Sequence, residues 1–343
     1  MTAAAWVGFP GTPAGNGFAE ARPALTLDKL DLFYRTDPYS VAFTKTAAGT
    51  VSIKAGTIVE VAGRIYVFAA ATAVTMPSLS AGTDYFIWIN PNGTLQATTS
   101  FVAGPMIGAR RLGGFHYAPG GNATGTTGGD TTPAINEYSL WDLKFRPRCA
   151  EPFGMALVAG AFWCDIYKLG VSHIVDGTSK YNVTIADGSS PPKIPTQFGG
   201  NGTTAYTTLN WWEAAEVMMS HGKRLLTVAE FGAAMYGTTE ATSGGTDPVS
   251  TILRAASTSK WGMMLSTGNL WDWGADFGGP YGTAAYTANG RGSTYNLSDA
   301  VLLGGAWDSG ADSGSRASNW GNLPSLSGGS IGARGRCDHL NHV

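Results

Sequence analysis

From residue 238 to the end of the chain, tryptophans stand between glycines in LWDWG (270–274), LGGAW (303–307), SGSRASNW (313–320) and GARGRCDHL (332–340), with almost no helical interval. A stretch of this kind cannot hide its apolar side chains on a helix face. It folds as short strands and loops pinned by large aromatic side chains, with glycines where backbones approach closely. The good helical signals lie just before it. In NWWEAAEVMMSHG, Asn210 and Glu213 have capping-box spacing, Trp211, Ala214, Ala215 and Met218 recur at helical intervals, and Gly222 ends the run. TVAEFGAAMYG repeats the scheme with Thr227, Glu230 and Gly237. Two helices in mid-domain followed by a hundred residues of strands and loops make an α+β domain with one irregular half. Function concentrates in such a half, because a rigid scaffold can carry variable loops.

Upstream the pattern is different. Residues 1–40 hold Pro10, Pro13, Pro23 and Pro38 among glycines and read as an irregular arm. From 41 to 117, VAFTKTA, TVSIKAGTIVEVAGRIYVF and DYFIWINPNGTLQAT alternate apolar and polar residues, and Asn92-Gly93 marks a hairpin, so a small antiparallel β-sandwich is expected. Residues 118–135 read as a linker loop, rich in glycine and threonine. INEYSLWDLKF and GMALVAGAFWCDIYKLG then open the second domain, 136–343, with two strand-like runs.

Charge excludes several classes of function. A net charge of −2 without a basic run lacks the footprint of a nucleic-acid binder. No signal peptide and no apolar stretch long enough for a spanning helix are visible, so membrane insertion is not expected. Cys149, Cys164 and Cys337 are widely spaced, form no CxxC pair, and read as buried small residues; neither a zinc site nor a disulfide framework is indicated. His116, His173, His221, His339 and His342 include no helix-spaced pair and read as structural. No metal site and no cofactor are expected, although a structural calcium stays open.

In the C-terminal strings, Trp271, Trp273, Gly304, Gly305, Trp307, Arg316, Trp320 and Arg334 read as a frame in which aromatics fill, glycines permit contact and arginines tie loops. Between them, in AWDSGADSG, Ala306, Asp308, Gly310 and Asp312 fall on alternate positions and would share the outward side of an extended segment while Trp307 turns in.

GFHYAPG, INEYSLWDLKFRP, LVAGAFWCDIYKLGV, DGTSKYNVTIADGS, HGKRL, YGTTEATSGGTD, TSKWG, LWDWG, YTANGRGS, GGAW, SGSRA and GARGRCDHL, in this order, closely resemble the phage tropism determinants, a family of diversity-generating-retroelement variable proteins. The resemblance runs from about residue 41 to the end. It implies a C-type-lectin-like C-terminal domain of the formylglycine-generating-enzyme subtype, assembly as a homotrimer, and a role in binding a macromolecular ligand on a bacterial surface, a protein above all. The setting it implies is a virion tail tip, or the cell surface if the gene is bacterial. It also implies diversification, in which error-prone reverse transcription rewrites adenines in selected codons near the 3′ end of the gene.

Carrying the family's variable positions onto this chain gives Ala306, Asp308, Gly310, Asp312, Asn319, Gly321, Asn322, Leu326, Gly328, Ser330 and Ile331, with Arg336 as a further member, inside a variable region of about 303–337. Rewritten AAY codons never yield Lys, Glu, Gln, Met or Trp, and none of these positions holds one. Three other functions compete. An oxidase of the formylglycine-generating type needs a cysteine pair soon after its GG-aromatic motif, and residues 308–316 contain none; Cys337 has no near partner in sequence, and a lone thiol cannot exchange disulfides. A calcium lectin needs converging oxygens, and no EPN-like or WND-like string is present. A structural tail module without a ligand is the third. A binding protein that is not an enzyme is therefore the expectation.

Overall fold

Two-residue alternation shapes the first part of the molecule. The computed structural model describes residues 31–279, 286–288, 293–295 and 298–341. Residues 1–30 of the expected arm, the middle of YTANGRGS and His342 lie outside these. Phe43–Ala47, Thr50–Ile53 and Thr72–Ala73 form one antiparallel sheet, and Phe33–Tyr34, Ile58–Val61 and Arg64–Val67 a second. A third contains Thr83–Ile89, Leu95–Thr98 and Arg110–Ala118. The Asn92-Gly93 turn joins the first two of its strands, with the Gly93 amide donating to the Asn90 carbonyl at 2.8 Å. Thr83–Ile89 is apolar along its length because it serves two cores: Tyr85, Ile87 and Ile89 pack with Val51, Ile53 and Phe115, while Phe86 and Trp88 pack on the other face with Trp141 and Phe145.

Two expected boundaries shift. Phe33–Tyr34 pairs with Ile58–Val61 and buries Phe33, so the end of the supposed arm is sheet. The third sheet also runs past residue 117, because Ala134–Ile135 and Trp141–Asp142 both pair with Arg110–Ala118. Between them, residues 119–133 carry neither helix nor strand, yet they are no free spacer: the Gly128 and Gly129 amides donate to the carbonyls of Gly237 (2.9 Å) and Ala255 (2.8 Å).

Both expected helices form, as Trp211–Ser220 and Val228–Ala234, each with a complete capping box. They pack over two sheets. One orders Phe145–Pro147, Gly335–Asn341, Phe162–Asp165 and Met155–Val158; the other orders Ser318–Asn322, Asp299–Leu303, Trp271–Gly278 and Ile331–Gly332. Asp299–Leu303 again serves two sides, with Val301 and Leu303 against Phe231 and Ala234, and Ala300 and Leu302 against Val217, Met218 and Trp273. A buried relay joins the two halves of the molecule, in which His116 meets Asp84 through Nδ1 (3.0 Å) and the Tyr167 hydroxyl through Nε2 (2.9 Å). No helix among the described residues is long and apolar enough to cross a membrane.

Candidate ligand-binding face

The candidate residues lie where the chain leaves Asp299–Leu303, turns, and returns as Ser318–Asn322 to pair with it. Gly304 and Gly305 make the exit, at φ +91° and +89°, a region that side chains with a Cβ avoid. A Cβ would also stand 2.7 Å from the Phe231 ring at Gly304 and 2.5 Å from the Ser313 hydroxyl at Gly305. Below them, Arg334 is fully buried and donates to the carbonyls of Asp165 (2.9 Å), Ile166 (2.6 Å) and Met264 (2.6 Å). Its Nε lies 3.8 Å from Asp272, which pairs with buried Lys168 at 2.8 Å. Burial pushes the Lys168 ammonium down to about 8 against the pull of Asp272.

The loop itself is held from outside the variable region. The Glu240 carboxylate accepts from the Ser315 amide (2.9 Å) and hydroxyl (2.6 Å), the Ala241 amide donates to the Ser313 carbonyl (2.9 Å), and the Gly245 amide donates to the Trp307 carbonyl (2.9 Å). Sequence reasoning missed Glu240. It lies within the quoted string YGTTEATSGGTD, but its partner is 75 residues away and no local spacing shows it.

Several expected placements need correction. Residues 306–312 are not extended. The Ser309 amide closes a turn onto the Ala306 carbonyl (3.2 Å), Ser309 Oγ accepts from the Ala306 amide (3.0 Å), and Gly310–Asp312 is a short 3-10 helix. Alternation therefore does not decide exposure here: Asp308, Gly310 and Asp312 are exposed, but Ala306 is 1% exposed. Ile331 is likewise buried, because Ile331–Gly332 pairs in parallel with the strand Trp271–Gly278. Arg336 is buried as well, and is ion-paired to Glu230 and Asp338.

The frame divides too. Trp273 is fully buried, with its indole N–H donating to the Leu209 carbonyl, whereas Trp271 and Trp307 are half-buried, Trp307 against Ile185, Leu265 and Leu270. Trp320 is 41% exposed on an edge strand, with its ring over Gly278, so it belongs to the outer face. Among the described residues Arg316 ties no loop; it stands exposed beside Tyr236 and Trp261 at a cavity of about 590 Å³.

Of the candidates and their neighbours, Asp308, Gly310, Asp312, Asn319, Trp320, Gly321 and Leu326 are exposed, and Asn322, Gly328 and Ser330 are half-buried. They are short side chains, for the most part, on a backbone fixed by buried groups. Among the described residues no cluster of three or more His, Cys, Asp or Glu could hold a metal ion. Two histidines far apart in sequence do meet, His173 Nδ1 and His221 Nε2 being 2.9 Å apart. Burial first, and then His173, lower His221 to about 4.

Known proteins with this arrangement are close. The family domain described as "Mtd second domain" matches residues 41–142. A tail fiber receptor-binding protein of Bordetella phage BPP-1 is 54% identical over 344 residues, covering 96% of this chain and 89% of the relative. That coverage leaves too little outside it for all of residues 1–40 to be unmatched, so the likeness starts before residue 41. The solved Major Tropism Determinant U1 variant aligns with 55% identity and a TM-score of 0.88, over 91% of this chain and 87% of that one. For the M1 variant the values are 53% and 0.90, over 95% and 90%. The C-terminal half accordingly has a C-type-lectin fold, and the chain belongs to the major tropism determinant family of variable phage tail fibre proteins.

Proposed function

We propose that this protein recognises a host receptor for a phage, with the exposed residues between Asp308 and Ser330 as its contact face. The observation that carries this reading is the separation of roles within one short segment: exposed small and polar side chains stand on a loop whose backbone is held by Glu240, by the amides of Ala241 and Gly245 and by the two glycines. Such a face can change composition without loss of the fold. It is broad and shallow, which suits a macromolecule, in the simplest case a protein on a bacterial surface, better than a small molecule that needs a deep apolar pocket. Trp320, Leu323 and Leu326, each at least 40% exposed, supply apolar anchors of the kind that dominate interfaces. The BPP-1 relative is described as a tail fibre receptor-binding protein, which agrees.

The finer reading has the protein as a homotrimer at a virion tail tip, with a β-sandwich in the first unit and a second unit of the formylglycine-generating subtype. Exposed apolar residues at Val102, Met106 and Ile107 support burial between copies. The protein is not an enzyme in this reading, because the stretch after GGAW holds no cysteine. Adenine-directed rewriting would fall on the twelve candidate positions, and burial of Ala306, Ile331 and Arg336 would restrict what those three tolerate. To test the function, purified chain is added to susceptible bacteria before the phage that carries it. Dose-dependent inhibition of adsorption is expected; unchanged adsorption at saturating protein contradicts the proposal.

A further inference from the structure

The antiparallel ladder between Phe145–Pro147 and Gly335–Asn341 pairs Phe145 with Asn341, Arg146 with Leu340 and Pro147 with His339. Carried two residues on, the same register sets Arg148 opposite Asp338 and Cys149 opposite Cys337. The first step is made, since the Arg148 amide donates to the Asp338 carbonyl at 2.9 Å. The second brings the Cys149 amide to 3.1 Å from Cys337 Sγ. Residues facing across such a ladder have Cα atoms roughly 4.5 to 5.5 Å apart, inside the range a disulfide spans. The Cys337 thiol thus has a partner that sequence distance conceals, 188 residues away.

We propose that Cys149 and Cys337 form a redox-active thiol pair that closes to a cross-strand disulfide on reaction with a small disulfide such as oxidised glutathione. Both thiols are buried among protein atoms but each borders a cavity. Cys337 lines one of about 180 Å³ together with Arg148, Lys223, Arg224 and Arg336; Cys149 lines one of about 390 Å³ with Arg148 and His221. Asp338 lines the first cavity too, and Lys223, Arg224 and Arg336 are ion-paired to Asp165, Glu230 and Asp338, so the lining is polar with only a small excess of positive charge, of which Lys223 lies near enough to favour a Cys337 thiolate. The nearby Cys149 side chain first, and then the Cys149 amide and the charge of Lys223, hold the Cys337 thiol below its ordinary range, while the same contact together with burial pushes Cys149 up. The Cys149 thiol itself donates to the Glu151 carbonyl at 3.3 Å. Cys337 is the attacking sulfur and Cys149 the resolving one.

The atoms balance as two exchanges. The Cys337 thiolate attacks one sulfur of the small disulfide, forming a mixed disulfide and releasing one small thiolate. Cys149 then gives up its proton to solvent, its sulfur attacks Cys337 Sγ, and the second small thiolate leaves. Two protein thiols are oxidised and one small disulfide is reduced to two thiols. The bond fixes the C-terminal strand, which follows directly on the candidate face, to the segment after Pro147, and stabilises the fold by restricting the unfolded chain. Cys164 takes no part, since it is fully buried on Phe162–Asp165 and burial raises its thiol.

The test incubates the folded chain with oxidised glutathione near neutral pH, blocks free thiols and maps peptides by mass spectrometry without reduction. A 149–337 linked peptide is expected, reversed by dithiothreitol, with a higher melting temperature for the oxidised form. The Cys164→Ser variant should give the same link, while Cys149→Ser should stop at glutathionylated Cys337. Persistence of both thiols in the folded parent chain, or a stable glutathione adduct on the parent without the link, overturns the proposal. If Cys149→Ser fails to fold, the parent and Cys164→Ser results decide it alone.

Discussion

Replacing Arg334 by methionine removes the guanidinium on which the frame depends while keeping much of its volume. Three buried carbonyls, of Asp165, Ile166 and Met264, lose a charged donor, and Asp272 loses a cation 3.8 Å away. Lys168 remains to neutralise Asp272, so the loss is smaller than for an isolated buried carboxylate. Breaking a buried ion pair by removing one partner costs about 3 to 5 kcal/mol. The Ile166 carbonyl keeps the Met264 amide at 2.8 Å, but a hydrogen bond from a charged donor contributes about 1.5 to 3 kcal/mol net, so loss of the three accounts for that range. In a domain of this size 1 kcal/mol moves the melting temperature by about 2 to 4 °C, so Arg334→Met should melt roughly 6 to 20 °C lower in a calorimeter at matched protein concentration. Arg334→Lys, which restores the charge but reaches fewer carbonyls, should fall between. A methionine variant within about 2 °C of the parent refutes the reasoning.

On the outer face the expectation is the opposite: Asp308→Ala, Asp312→Ala and Asn319→Ala should each stay within about 0.5 kcal/mol of the parent in urea unfolding, whereas Ala306→Asp, which buries a charge without a partner, should cost several times that. Glu230 gives a pH signature. Against the upward push of burial, Arg336, the Thr227 amide and Arg224 hold its carboxyl at about 2 instead of 4.5, so this contribution is fully present above about pH 4.5 and is lost as pH falls toward 2. The melting-temperature gap between parent and Glu230→Gln should therefore narrow over that window; a constant gap speaks against the ion pair. Light scattering at micromolar concentration should give three times the 35.7 kDa chain mass.

Local rules were legible in the sequence and long-range ones were not. Both capping boxes, the Asn92-Gly93 hairpin and the alternation of Thr50–Ile53 are decided within a few residues, and the structure has them. Residues 306–312 were misread because Ser309 and Gly310 turn the chain there, which no two-residue period can show. Ala306, Ile331 and Arg336 were placed by family position, while their burial depends on partners in other strands and on Glu230. Glu240 with Ser315, and Cys149 with Cys337, are pairs made by topology across 75 and 188 residues.

The central claim is that the exposed residues from Asp308 to Ser330 choose the ligand and the rest of the chain only presents them. Exchanging the candidate positions in that span for those of another variant, with buried Ala306 and Ile331 and every other residue unchanged, tests it directly by comparing the bacterial strains and the isolated surface partner that each chain binds. The account predicts that the bound partner changes while the melting temperature moves by no more than a few degrees; the same partner bound with unchanged affinity would place the site elsewhere and contradict it.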